Sequence, residues 1–129
     1  MTPAIYVWIK TQFEALHHWP DAAGSVAYLR NPHRHMFHVR VDVRVSDGDR
    51  QVEFITLKHL VDNIIMTHVP KDSTWSCEHM ANAIGDELRQ YFRQAALLSS
   101  KPEVTLGFAE LVVRVSEDDE NGATLIWSE

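Results

Sequence analysis

The stretch from His33 to Val41 opens a run that alternates with a period of two, and few patterns restrict a chain more. Phe37, Val39, Val41 and Val43 interleave with His38, Arg40, Asp42 and Arg44, the signature of a strand with one apolar and one polar face. Residues two apart on a strand point to the same side of the sheet. His33 and His35 therefore present two imidazoles side by side, a geometry that one metal ion can bridge. His38 has the opposite parity and is predicted to face away.

A strand needs partners, and the rest of the chain supplies them. Ala4 to Leu16 reads as a first strand, with Ile5, Val7 and Ile9 against Tyr6, Trp8 and Lys10, ending at His17-His18-Trp19-Pro20, where the proline discourages further pairing. Asp21 to Pro32 carries Gly24, Ser25, Asn31 and Pro32 and reads as a loop with a short helical turn. The second strand runs from about His35 to Ser46. Asp47-Gly48-Asp49 is a turn signal, and Gln51 to Ile55 is read as its hairpin partner. Thr56 is the expected N-cap of a helix whose Leu57, Leu60, Val61, Ile64 and Ile65 recur at helical spacing as far as about Thr67. After a connection from His68 to Thr74, a second helix is expected from near Ser76, with Glu78 in its first turn, where the dipole favours an anion. Its buried stripe is Met80, Ala81, Ile84, Leu88 and Tyr91 or Phe92, fading near Leu98 before Lys101-Pro102. Val104 to Val115 and Ala123 to Trp127 are the closing strands, joined by an acidic turn. The prediction is one α+β domain over residues 1–129, an antiparallel four-stranded sheet with the helices on one face.

Composition sets limits on partners. A net charge of −6 and a pI near 5.7 argue against nucleic acid or an anionic membrane as the partner. One cysteine rules out an internal disulfide framework. Met1 to Ala4 opens without a basic stretch leading into an apolar one, and no apolar run approaches membrane length. A cytoplasmic protein is expected.

Zinc at a catalytic centre takes three protein ligands and keeps a fourth position open. His33 and His35 supply two, and His17 or His18, at the end of the first strand, supplies a third. On spacing alone, a His-x-His on a strand is more often just a polar strand face.

The order of five short motifs goes further. Phe13-Glu14-Ala15-Leu16-His17, His33-Arg34-His35, Glu53-Phe54 with Leu57-Lys58, Ser76-Cys77-Glu78, and Val115-Ser116-Glu117 with Gly122 together resemble the 6-pyruvoyl-tetrahydropterin synthase and 6-carboxy-tetrahydropterin synthase family. The resemblance covers roughly residues 4–127. It implies the tunnelling fold and a Zn2+ site of His17, His33 and His35, with His18 a bystander. Glu117 is then the carboxylate that grips the N–H edge of a pterin or purine-like ring, a role that suits an acceptor-only group. A zinc-dependent lyase acting on 7,8-dihydroneopterin triphosphate or a relative is implied, in pterin or deazaguanine biosynthesis, as a homo-oligomeric ring with sites at subunit interfaces.

The chain also departs from that family. The family's cysteine lies four residues before the His-x-His pair, where this chain has Leu29, and the aspartate of its Asp-His pair is missing. A catalytically altered pterin, purine or nucleotide-binding module is the alternative. For proton transfer the sequence offers His68, at about the right place after the first helix, and Cys77, at a helix N-terminus where the dipole lowers a thiol pKa. Cys77 serves equally as a small buried apolar residue. Glu78 and Trp75 are further candidates for substrate contact, and Arg34 for a phosphate tail, since arginine forks match phosphate geometry.

Overall fold

The computed structural model describes residues 1–46, 48–98 and 110–128. Two long strands, β1 (Ile5–His17) and β2 (His33–Val45), pair antiparallel from Ile5↔Val45 to His17↔His33. A 3-10 helix, Gly24–Arg30, lies in the segment between them. Two helices follow, α1 (Phe54–His68) and α2 (Cys77–Leu98), separated by a two-residue strand, β3 (Asp72–Ser73). The hairpin of β4 (Glu110–Glu117) and β5 (Asn121–Ser128) completes a sheet of order β3-β1-β2-β4-β5.

Strand parity decides where the core lies. On β2 the odd positions Phe37, Val39, Val41, Val43 and Val45 are buried, and β4 adds Leu111, Val113 and Val115. Both helices cover this face, α1 with Leu57, Val61, Ile64 and Ile65, and α2 with Met80, Ala81, Ile84, Leu88 and Phe92. Each such side chain contributes about 1.5–3 kcal/mol on leaving water. Of the two aromatics offered by the sequence, Phe92 takes the buried place and Tyr91 remains exposed. The even positions of β2 lie on the helix-free face, where Asp42 is held by Arg40 (2.9 and 3.1 Å) and Arg114 (3.0 Å). His38 lies there too, beside a cavity of about 530 Å³, as its parity requires.

Two expectations are corrected. Gln51 to Ile55 is not a strand, because α1 already begins at Phe54. Its cap is Glu53, whose carboxylate accepts from the Ile55 and Thr56 backbone N–H groups (2.9 and 2.7 Å) and from the Thr56 hydroxyl (2.7 Å). The Thr56 hydroxyl, its backbone N–H and that of Ile55 hold the Glu53 carboxyl below its usual pKa. Five alternating residues cannot be told from the start of an amphipathic helix by period alone. The sheet, second, has five strands rather than four. The extra one, β3, pairs parallel with β1 through Leu16↔Asp72 and His17↔Ser73, too short to leave a periodic signal. The expected strand start at Val104 lies outside the described residues. No helix among them is long and apolar enough to cross a membrane.

Candidate metal centre

The inward row of β2 does not stop at Phe37. It continues through His35 to His33, beyond the cover of the helices, and register sets His17 opposite His33. Three imidazoles thus meet at one end of the core, with ring centroids 4.5 Å (His17–His33), 5.0 Å (His33–His35) and 5.4 Å (His17–His35) apart. One ring nitrogen from each lies within 4.8 Å of the others.

Which nitrogen that is follows from the opposite edge of each ring. His17 Nδ1 lies 2.9 Å from the Trp75 carbonyl, and His33 Nδ1 lies 2.9 Å from the Asn31 carbonyl. His35 Nδ1 lies 2.6 Å from an Asp118 carboxylate oxygen. All three partners only accept, so each Nδ1–H donates and each Nε2 carries a lone pair. Outer partners of this kind orient histidines that bind metal. His17 is 8% exposed, and its Nε2 is a buried polar atom without a hydrogen bond. The residues fit a divalent metal bound through nitrogen.

Local structure supplies those partners. β3 draws the chain alongside the end of β1 (Leu16 N–H to Lys71 carbonyl 2.8 Å, His18 N–H to Ser73 carbonyl 3.1 Å), which brings the Trp75 carbonyl to His17. The β4–β5 turn has positive φ at Asp118 (54°) and Asp119 (60°), as a type I′ turn requires. It also carries the Asp118 N–H to the Met36 carbonyl (2.8 Å). His35 and the Met36 N–H (3.1 Å) both donate to the Asp118 carboxylate and keep its pKa low. Sequence reading placed Asp118 in a solvated acidic turn and missed this role. The only local signal was a turn whose geometry favours Asp or Asn.

A cavity of about 520 Å³ opens beside the triad, lined by His17, His33, Leu29, Trp75, Cys77 and Glu78 among others. Glu117 lines it too, with Oε1 3.1 Å from His17 Nε2 and Oε2 3.5 Å from His35 Nε2. Trp75 presents one ring face, the other being stacked on His79 at 4.1 Å. Burial, with the charges of Glu117 and Glu78 adding to it, pushes the Cys77 thiol up to about 12. His18 lines the cavity as well, and its buried Nδ1 has no hydrogen-bond partner. Two sequence candidates are not brought there. Arg34 has the outward parity and pairs at the surface with Glu14 (3.4 Å). His68, on the last turn of α1, sits 3.5 Å from Glu87 of α2 and is not among the lining residues.

No protein-family profile and no curated protein matches the sequence. Solved structures do. The Plasmodium falciparum 6-pyruvoyl tetrahydropterin synthase aligns with a TM-score of 0.70 at 16% identity, over 99% of this chain and 100% of that one. The fold is that of the 6-pyruvoyl tetrahydropterin synthases. The Plasmodium vivax synthase, in a form with a catalytic glutamate changed to cysteine, gives 0.65 at 13% identity over 99% and 100% of the two chains. The Caenorhabditis elegans synthase gives 0.60 at 16% over 98% and 96%. The β-hairpins with two helices on one face, expected from the order of the motifs, are thus shared along the whole chain.

Proposed function

We propose that this protein is a zinc-dependent lyase-type enzyme acting on a reduced pterin such as 7,8-dihydroneopterin triphosphate, in pterin or deazaguanine biosynthesis. The observation that carries this reading is the cluster of three histidines, each with its Nδ1–H donated and its Nε2 left free of that bond, beside a cavity of about 520 Å³ that His17 and His33 line. His17, His33 and His35 would hold the metal, which supplies Lewis-acid polarisation of a substrate hydroxyl or carbonyl. Trp75 offers a flat apolar face to a heterocycle. Glu117 offers an acceptor pair for adjacent ring N–H groups, and His18 Nδ1 a further hydrogen bond.

Proton transfer is where the chain has its own solution. Leu29 lines the cavity in the place the resemblance gives to cysteine, and it can move no proton. Cys77 stays a neutral thiol with its pKa near 12. His68 faces Glu87 rather than the cavity. Glu78, on the first turn of α2 and lining the cavity, is the carboxylate we assign as general acid/base. In the Plasmodium vivax protein, too, the catalytic residue changed to cysteine was a glutamate. A binding module without turnover is the second reading, favoured by Leu29.

Incubating the zinc-loaded protein with 7,8-dihydroneopterin triphosphate separates the two readings. Consumption of the pterin by wild type, lost at least ~100-fold in Glu78→Gln with metal retained, is the expected result. Binding without consumption by wild type selects the module.

The free sheet edges support a homo-oligomer. Among the described residues, the outer edges of β5 and of β1 over residues 5–15 have no strand partner. Unpaired edges are templates for strand addition by another chain. Trp8, Phe54 and Ile55 are exposed near the β1 edge and Ile126 on β5, and a ring of copies would cover them.

A further inference from the structure

We propose that Glu117 is a fourth ligand of the metal, closing a three-histidine, one-carboxylate site in the ligand-free protein, and that a substrate entering the cavity must displace it. This rests on the triad reading above and adds to it.

Register aims the side chain. Glu117 ends β4 opposite Phe37, and it extends the inward row of Leu111, Val113 and Val115. Parity therefore turns its carboxylate toward the histidines rather than toward solvent, where Asp119 and Glu120 lie.

Chemistry then limits what the contact can be. With every Nδ1 donating, His17 Nε2 and His35 Nε2 are acceptors, and a carboxylate also only accepts. Acceptors 3.1 and 3.5 Å apart repel unless a proton or a metal cation lies between them. No hydrogen bond relieves the closer contact, since His17 Nε2 has none. Each contact, made by a different oxygen of Glu117 to one of two rings, has the spacing of neighbouring ligands. Tetrahedral zinc with bonds of about 2.0–2.1 Å sets its ligands about 3.3–3.4 Å apart, and the two observed distances straddle that value. Of the other nearby carboxylates, Asp118 is occupied at the outer edge of His35, and Glu78 lines the cavity from the first turn of α2. Glu117 is thus the group able to offset part of the ion's charge from within the site.

The consequence concerns substrate entry. A ring N–H edge and the metal would draw on the same two oxygens. Binding of a flat ligand should free a coordination position as it captures Glu117, so that an open site arises only when substrate is present.

The test uses the full chain stripped of metal and titrated with Co2+, with visible absorption reporting coordination and chelator competition reporting Zn2+ affinity. Wild type is expected to show the intense bands of a four-coordinate ion. Glu117→Gln should bind Zn2+ roughly 10-fold or more weakly and shift the Co2+ bands. Asp119→Asn, an exposed charge two residues on, should match wild type. If Glu117→Gln does not fold by circular dichroism, Glu117→Asp makes the same comparison, because its shorter carboxylate cannot reach both Nε2 atoms. Unchanged affinity and spectrum in the Glu117 variant would overturn the proposal and leave the triad standing. No metal uptake by wild type would instead overturn the triad reading itself.

Discussion

Three imidazoles in a sheet are ordinary polar side chains until something fixes which nitrogen of each carries the proton. Two backbone carbonyls and Asp118 do so here, and one ring nitrogen of each lies within 4.8 Å of the others. The same accounting bears on Cys77 as a candidate for proton transfer. A helix N-terminus alone would lower a thiol pKa, but burial and two neighbouring carboxylates win, and the value rises to about 12. At pH 8 that leaves roughly one molecule in ten thousand as thiolate. Iodoacetamide should therefore modify native Cys77 at least ~100-fold more slowly than a free thiol, and a comparable rate would contradict this account. The linkage has a definite sign. A folded pKa raised from 9.0 to about 12 contributes stability below pH 9 that is lost as pH rises from about 9 to about 12. Of the site residues, His33 and His35 were legible because strand period alone puts them on one face. Asp118 was not, since its role depends on a turn that reaches back to another strand, and His68 lost its place because α1 turns it toward α2.

Elements were legible where their period ran long. Both helices and both long strands lie close to where the periodicity places them, because ten or more residues average out local exceptions. The failures were short: five residues before α1, taken as a strand, and two residues of β3, not seen at all. Yet β3 pairs with the end of β1 and delivers the Trp75 carbonyl to His17. Gly85 is a sensitive point in the fit of α2 to the sheet. A Cβ there would lie 2.0–2.7 Å from three ring atoms of Trp127, a residue from the far end of the chain that no local pattern could pair with it. Helix propensity favours alanine over glycine by about 0.5–1 kcal/mol, whereas forcing an atom into a filled space costs about 1–3 kcal/mol. Gly85→Ala should therefore lower stability in a denaturant melt, and a more stable variant would refute this packing.

At the scale of the molecule, one face of the sheet does two jobs in sequence. Its middle is apolar and takes the helices, and its end, where the helices stop, carries the histidines. The same parity rule governs both, which is why core and site could be read from one alternating stretch. What that stretch could not supply was the closure of the site, which needs β3, the β4–β5 turn and Glu117, each set by pairing between distant segments. The central claim is that His17, His33 and His35 hold a divalent metal within an assembly of chains that pair through their free edges. Native mass spectrometry of the protein purified without added metal reads both quantities at once. We predict a multiple of the 14.8 kDa chain carrying about one zinc per chain, with the metal lost in His33→Ala/His35→Ala. A metal-free wild type would contradict the account.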